Sequence, residues 1–207
     1  MQELHGEIFV YNMLARIFYS EPTLELLYEL AAMKLPSEPE ADASKGMLHM
    51  VEVARLHSHN LKELQDELAI EFTRLFLGPI KPVAIPYASW YLSESHQLMT
   101  DETIDVRRRY LEAGMAVKDL YSTPDDHISI ELEFLSYLTG EMIAAHEAGQ
   151  QERLQALENT RNGFINDHMK QWAHEFIATI TDSDANKFYK GAALLLDEVL
   201  LIERENI

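Results

Sequence analysis

The 207-residue sequence contains no cysteine, which excludes disulfide bonds and thiolate chemistry together. Basic residues are also scarce: 17 Lys and Arg stand against 35 Asp and Glu, for a formal net charge of −18. Nucleic acid and anionic lipid surfaces repel such a chain, so neither is expected as a partner. No apolar run approaches the roughly 18 residues of a membrane-spanning helix. The acidic N-terminus lacks an apolar signal segment, and we therefore expect a cytoplasmic protein without stable membrane insertion.

Strand signals are nearly absent, whereas apolar residues recur throughout at the spacing of amphipathic helices. With 47% hydrophobic and 25% charged residues, the composition is that of a globular protein large enough for one substantial core. We therefore predict a single all-α domain, a helical bundle covering residues 1–207. A surface loop is predicted at residues 36–44, which are rich in Pro, Ser and Glu. Gly163 is predicted to bend or interrupt the long helix that follows Gln151.

The segment from Ser122 to Phe134 reads STPDDHISIELEF and carries more charged residues than a helix start needs. Thr123 is predicted as the N-cap and Pro124 as the first helical residue. Acids at this end are stabilised by the helix dipole, so the cluster could be a solvated helix start and nothing more. The excess of acids around a histidine nevertheless indicates a functional site.

A metal site is one alternative for this cluster, because His127 and Glu131 are four residues apart on one helical face. The chain has no HExxH sequence, no cysteine and no second histidine-rich element at suitable spacing. We therefore expect no metal.

A second unusual segment runs from Leu68 to Leu92. An apolar helix ends at Gly78, and three prolines at 79, 82 and 86 then hold the chain extended. Tyr87, Trp90 and Tyr91 follow at once. Aromatic side chains after a proline-rich path suit the binding of a peptide, since they bury apolar area at low entropic cost.

Four ordered pieces of the chain resemble the TorD/DmsD family of redox-enzyme maturation chaperones. The first motif, residues 71–91, reads Glu-x-x-x-Leu-Phe-x-Gly-Pro followed by Pro82, Pro86 and Ser-x-Tyr. The acidic motif, residues 124–134, reads Pro-Asp-Asp-His-Ile-x-x-Glu-Leu-Glu-Phe. Two shorter pieces are Tyr-x-x-x-Gly at residues 110–114 and Phe-x-x-x-His-x-x-x-Trp at residues 164–172. Trp90 and Met115 depart from the residues usual in the family but remain apolar.

The resemblance implies a TorD-like helical fold and a chaperone rather than an enzyme. Members of the family bind the twin-arginine leader or the apo form of a molybdopterin oxidoreductase, aid cofactor insertion and delay export. The resemblance also implies a monomer or a domain-swapped homodimer, no cofactor, and at most weak guanine nucleotide binding. The residues expected to bind leader or client are Glu71, Leu75, Phe76, Pro86, Tyr87, Trp90, Tyr91, Asp125, Asp126, His127 and Glu131.

Two hypotheses about this site follow. The two motifs should meet in space, with Tyr87, Trp90 and Tyr91 near the acidic motif, while Leu75 and Phe76 have the helical spacing of core residues. Asp126 should accept charge-assisted hydrogen bonds from the leader's arginines.

The alternative function is that of a nucleotide-binding or hydrolytic protein that uses Asp125, Asp126 and His127 as acid–base groups, although the chain has no phosphate-binding GxxxxGK[ST] loop.

Overall fold

A computed structural model describes residues 1–34, 44–78, 81–116 and 123–202. The predicted surface loop, apart from Ser44, lies outside the described residues, and so does Pro79. All regular elements of the described ranges are helical, which confirms the all-α class. Within those ranges no helix is long and apolar enough to cross a membrane. The helices are α1 (Gln2–Tyr19), α2 (Leu24–Ala32), α3 (Lys45–Leu56), α4 (Leu61–Phe72), α5 (Ala88–Leu92), α6 (Asp101–Glu112), α7 (Ile128–Glu147), α8 (Gln151–Phe164), α9 (Lys170–Thr181) and α10 (Lys187–Ile202).

Two helices continue into π-helical turns, at Thr73–Leu77 after α4 and at Ile165–Met169 between α8 and α9. The second turn interrupts the long helix just after Gly163, close to the predicted position. A π-helical turn inserts an extra residue into the helical repeat and re-aims the side chains that follow.

The chain divides into two compact units. Unit 1 comprises residues 1–19 and 86–173, and unit 2 comprises residues 20–85 and 174–207. The prediction of one domain over residues 1–207 stays a prediction.

Unit 1 is built around α7, which packs against α1 and α8. Its core holds a cluster of aromatic rings: Phe134 lies 4.6 Å from Tyr110 and 4.9 Å from Phe164, measured between ring centroids. All three side chains are buried. α7 is apolar on much of its circumference, as expected for a helix covered on more than one side.

Unit 2 is centred on the packing of α10 against α3. Leu75 and Phe76 are buried here, and the ring of Phe76 contacts Phe72, Phe176 and Tyr189. The helical spacing therefore identified core residues. The last helix, α10, is capped by Asn186, whose side chain accepts the Phe188 N–H at 2.8 Å.

The contact between α3 and α10 depends on two glycines. A Cβ at Gly46 would lie 2.3 Å from the backbone nitrogen of Leu195 and 2.5 Å from the carbonyl oxygen of Gly191. A Cβ at Gly191 would lie 2.8 Å from the carbonyl oxygen of Gly46. Only glycine allows these two backbones to approach so closely, because the obstructing atoms are backbone atoms that cannot turn aside.

Gly46→Ala should therefore lower the free energy of unfolding by about 1–3 kcal/mol or more, the cost of overpacking a core contact. Urea unfolding followed by circular dichroism measures the effect. Gly6→Ala on α1 is the matched control, since nothing lies within 4 Å of a Cβ there; it should be neutral or stabilise by up to about 1 kcal/mol. Equal unfolding midpoints for the two variants would contradict the close contact.

Candidate functional site

The first motif is shared between the two units. Glu71, Leu75 and Phe76 belong to unit 2, while Pro86, Tyr87 and the residues of α5 belong to unit 1. The acidic motif lies wholly in unit 1.

Within unit 1, the backbone joins the end of the first motif to the acidic motif. Tyr87 and His127 form an isolated antiparallel bridge. The Ile128 N–H donates to the Pro86 carbonyl at 2.9 Å, and the Ala88 N–H donates to the Asp126 carbonyl at 3.0 Å. These main-chain bonds place Tyr87 beside the acidic motif, as expected, and Trp90 and Tyr91 follow it on α5.

Asp126 is fully buried, and its carboxylate is satisfied inside the chain. One oxygen accepts the Ser89 N–H at 2.8 Å and the other accepts the Thr103 hydroxyl at 2.9 Å. Ser89 is in the first turn of α5, and Thr103 is in the first turn of α6. The hypothesis that Asp126 directly binds a client's arginines does not fit this geometry; the residue instead fixes the starts of two helices.

Asp125 is also buried, but its carboxylate is paired with a cation. Arg107 of α6 forms an ion pair with it through Nε, and the Tyr110 hydroxyl donates to the Asp125 carbonyl at 2.9 Å. Burial raises the pKa of Tyr110 well above its usual range, and nearby acids raise it further, so its hydroxyl keeps its proton. Sequence reasoning missed Thr103 and Arg107; their spacing with Tyr110 along α6 was the signal that could have identified them.

His127, not Thr123, caps α7, and the predicted helix start was wrong by several residues. The Pro124 carbonyl accepts the His127 N–H at 3.1 Å, so residues 124–127 form a turn before the helix. The His127 ring nitrogen Nδ1 accepts the Ser129 N–H at 3.1 Å. We therefore assign the proton of the neutral ring to Nε2, which makes Nε2 a hydrogen-bond donor. Burial lowers the pKa of His127 to about 4, so the ring is neutral at physiological pH.

Glu131 lies on α7 one turn after the cap and is fully buried. Its Oε1 is 2.7 Å from Nε2 of His168, a residue of the π-helical turn between α8 and α9. Burial raises the pKa of Glu131, and the charge and hydrogen bond of His168 partly offset that increase. This pair connects α7 to residues 165–169 inside unit 1. The acidic motif and the family piece at residues 164–172 therefore meet in the core of that unit.

Aromatic side chains remain at the surface beside the buried acids. The rings of Tyr87 and Tyr19 stand edge-on to His127, with centroids 4.8 Å and 6.3 Å away. Tyr19 is 59% exposed, while Tyr87, Trp90 and Tyr91 are half-buried. Tyr91 stacks on Trp172 at 5.5 Å. We call the accessible parts of Tyr19, Tyr87, Trp90 and Tyr91 the aromatic surface.

Glu71 serves unit 2 in a comparable way. Its carboxylate accepts both Nε and a terminal nitrogen of Arg74 at 2.9 Å, and it accepts the Asn186 N–H at 2.8 Å. The hydrogen bond from Arg74 lowers the pKa of Glu71. The residue thus holds the start of α10, and its leader-binding role stays a prediction, as does that of the buried Leu75, Phe76 and Pro86.

The geometry gives little support to the hydrolytic alternative. A general base needs a lone pair directed at a substrate, but Asp126 uses both oxygens internally and His127 uses Nδ1 for its cap. Among the described residues, no group of three His, Cys, Asp or Glu side chains is arranged to hold a metal ion. A cavity of about 280 Å³ lies elsewhere in unit 1, between Arg109, Phe134 and Gly163, and contains none of the predicted site residues.

Comparisons with known proteins agree with the motifs. A family model described as "Nitrate reductase delta subunit" matches residues 39–178. The chain belongs to the TorD chaperone family. The Chaperone protein TorD of Salmonella arizonae is 32% identical over 195 residues, which cover 90% of this chain and 84% of that protein.

Two further relatives carry the same name. The protein of Photobacterium profundum is 34% identical over 149 residues, covering 70% of this chain and 68% of the relative. That of Aliivibrio fischeri is 27% identical over 202 residues, covering 94% and 91%. These relatives are named as chaperones.

The cap formed by His127 makes the stability of the fold depend on pH. The unfolded ring has an ordinary pKa of 6.5 and the folded ring about 4, so between these values the unfolded state binds a proton that the folded state does not. The free energy of unfolding should therefore fall with falling pH, by about 1 kcal/mol between about pH 7 and pH 5.5. His127→Asn, which retains a capping side chain but does not titrate, should lack this component.

Urea titrations of both proteins at the two pH values provide the test, and the other titrating groups cancel in the comparison. Parallel losses of stability in wild type and His127→Asn would mean that the folded His127 titrates normally.

Proposed function

We propose that this chain is a cytoplasmic chaperone for a molybdopterin oxidoreductase and binds the twin-arginine leader of that enzyme at the aromatic surface of unit 1. Leader binding holds the apo-enzyme back from export until its cofactor is inserted. The proposal joins the family assignment to one structural observation, the main-chain pairing of Pro86–Ala88 with Asp126–Ile128.

That pairing supports peptide binding because it places partly exposed rings on a rigid base. Tyr87 takes part in the bridge, and Trp90 and Tyr91 follow on α5, whose first turn is fixed by the Asp126 carboxylate. Rings held in one orientation lose little entropy when a ligand covers them. Such a surface fits the apolar stretch that follows the paired arginines of a leader.

Two of the buried acids act through position in this account. Asp126 and Glu131 fix α5, α6 and the residues around His168, and the client touches the side chains that those acids hold in place. Asp126→Asn would then weaken leader binding by displacing α5, not by removing a contact with arginine. His127 contributes a donor at Nε2 and has no acceptor for it among the described residues, so it suits a main-chain carbonyl of the peptide.

Electrostatics supplies the second half of the recognition. The net charge of −18 creates a field that attracts a basic peptide and speeds its encounter with the chain. Arginine is preferred over lysine where a carboxylate is the acceptor, since its planar group donates two parallel hydrogen bonds.

A leader peptide with its paired arginines should bind more tightly than the same peptide with two lysines, and the affinity of both should decrease as salt increases. Binding should persist at high salt, because burial of the apolar stretch is not screened. Isothermal titration of both peptides at low and high salt measures this. Equal affinities together with no salt dependence would contradict the electrostatic half of the proposal.

Trp90→Ala should weaken leader binding by about 1–2 kcal/mol, as expected for an aromatic anchor in a peptide interface. The control is Tyr28→Ala, which removes an aromatic side chain that is 61% exposed on α2 of unit 2. That variant should bind the leader as wild type does. If both variants lose the same affinity, or neither does, the aromatic surface is not the binding site. Circular dichroism of each variant confirms that the fold is retained.

A further inference from the structure

The α6 helix holds the acidic motif with three side chains on one stripe. Thr103 donates to the Asp126 carboxylate, Arg107 pairs with the Asp125 carboxylate, and Tyr110 donates to the Asp125 carbonyl. The spacing i, i+4, i+7 places all three on one face of the helix. Thr103 and Tyr110 are buried, whereas the Arg107 side chain between them is 36% exposed.

Of the buried acids in this motif, Asp125 alone has a partner that resembles the ligand. Asp126 accepts from a backbone N–H and a hydroxyl, and Glu131 contacts a histidine. The partner of Asp125 is a guanidinium group, the same chemical group that a leader presents in duplicate. The Asp125 carboxylate therefore already forms, within the free chain, the contact that an arginine-bearing peptide would make.

A buried carboxylate strongly disfavours being left unpaired, so Arg107 departs only rarely unless another cation replaces it. A second guanidinium does so with little net change, because one charge-assisted pair replaces another. An ammonium group is a poorer replacement, since it lacks the planar pair of donors. The Arg107 side chain extends from the side of α6 and is partly in contact with solvent. Its guanidinium group can therefore move away from Asp125 into solvent.

We propose that Asp125 is a guanidinium-binding site which Arg107 occupies in the free chain and which an arginine of the client peptide takes over. This rests on the proposed function and adds a regulatory step to it. Arg107 acts as a built-in competitor: it keeps the acid paired when no client is present, and it releases the site only to a ligand that carries the same group. Basic peptides without arginine are thereby disfavoured.

The competition predicts that removing Arg107 tightens leader binding. Apparent affinity is reduced by the fraction of molecules in which the site is free, so Arg107→Ala should bind an arginine leader about tenfold more tightly if the ion pair is formed about nine-tenths of the time. The matched control is Arg108→Ala, which removes the same charge from the next residue of α6, where the side chain is 66% exposed and pairs with Asp105. Its affinity should stay within about twofold of wild type.

A small-molecule rescue tests the site without any leader. Millimolar n-propylguanidinium should raise the melting temperature of Arg107→Ala, while n-propylammonium should raise it less and neither should affect Arg108→Ala. Adding Asp125→Asn to Arg107→Ala should abolish both the rescue and the gain in leader affinity. If Arg107→Ala does not fold, Arg107→Lys retains a weaker pair and should bind the leader more tightly than wild type.

The outcomes separate the two proposals. If wild type and every variant fail to bind the leader, the proposed function is wrong, and the guanidinium rescue still decides whether Asp125 is the site described. If the leader binds wild type but binds Arg107→Ala or the Lys variant no more tightly, Arg107 is a structural partner and the competition does not exist.

Discussion

The Asp126 carboxylate is the contact on which unit 1 depends. It is a buried charge, and a buried charge is tolerated only where donors surround it. Here those donors come from the starts of two helices, the Ser89 N–H of α5 and the Thr103 hydroxyl of α6. Because the donors belong to segments distant in sequence, satisfying one carboxylate fixes where both helices begin. The aromatic surface is a consequence of that arrangement.

Of the four acids in the acidic motif, only Glu133 is exposed. Asp125, Asp126 and Glu131 are all buried, and each is paired with a different kind of donor: a guanidinium, neutral groups and a histidine. Variants of Asp126 and Glu131 should lose function by moving the helices and side chains that these two acids hold in place. The exposed groups that remain next to them are rings with polar edges, which suits a peptide that is part basic and part apolar.

The sequence predicted the helical class and some core positions because helical spacing is a local signal. Leu75 and Phe76 were recognised as core in this way. The sequence-based prediction misplaced the start of α7 because Thr123 and Pro124 satisfy the local rules for a cap. The actual cap, His127, depends on a bridge to Tyr87, about forty residues earlier. Local propensities contain no information about such a pairing.

The roles of the site residues were harder to predict for the same reason. Motif order indicated that the two motifs would meet, but the burial of Asp126 follows from Thr103, and the pairing of Asp125 follows from Arg107. Both lie in α6, which carries no family motif before Tyr110. Whether an acid faces solvent or a neighbouring helix is decided by tertiary packing, and the local patterns of a sequence do not reveal that packing.

The central claim is that the leader lies on the aromatic surface of unit 1. Photo-crosslinking tests it most directly: a leader peptide with a photoreactive residue immediately after its paired arginines is irradiated with the chain, and the attachment site is found by mass spectrometry. The account predicts attachment to Tyr19 or within Tyr87–Tyr91. Attachment confined to residues of unit 2, such as those of α4, would contradict it.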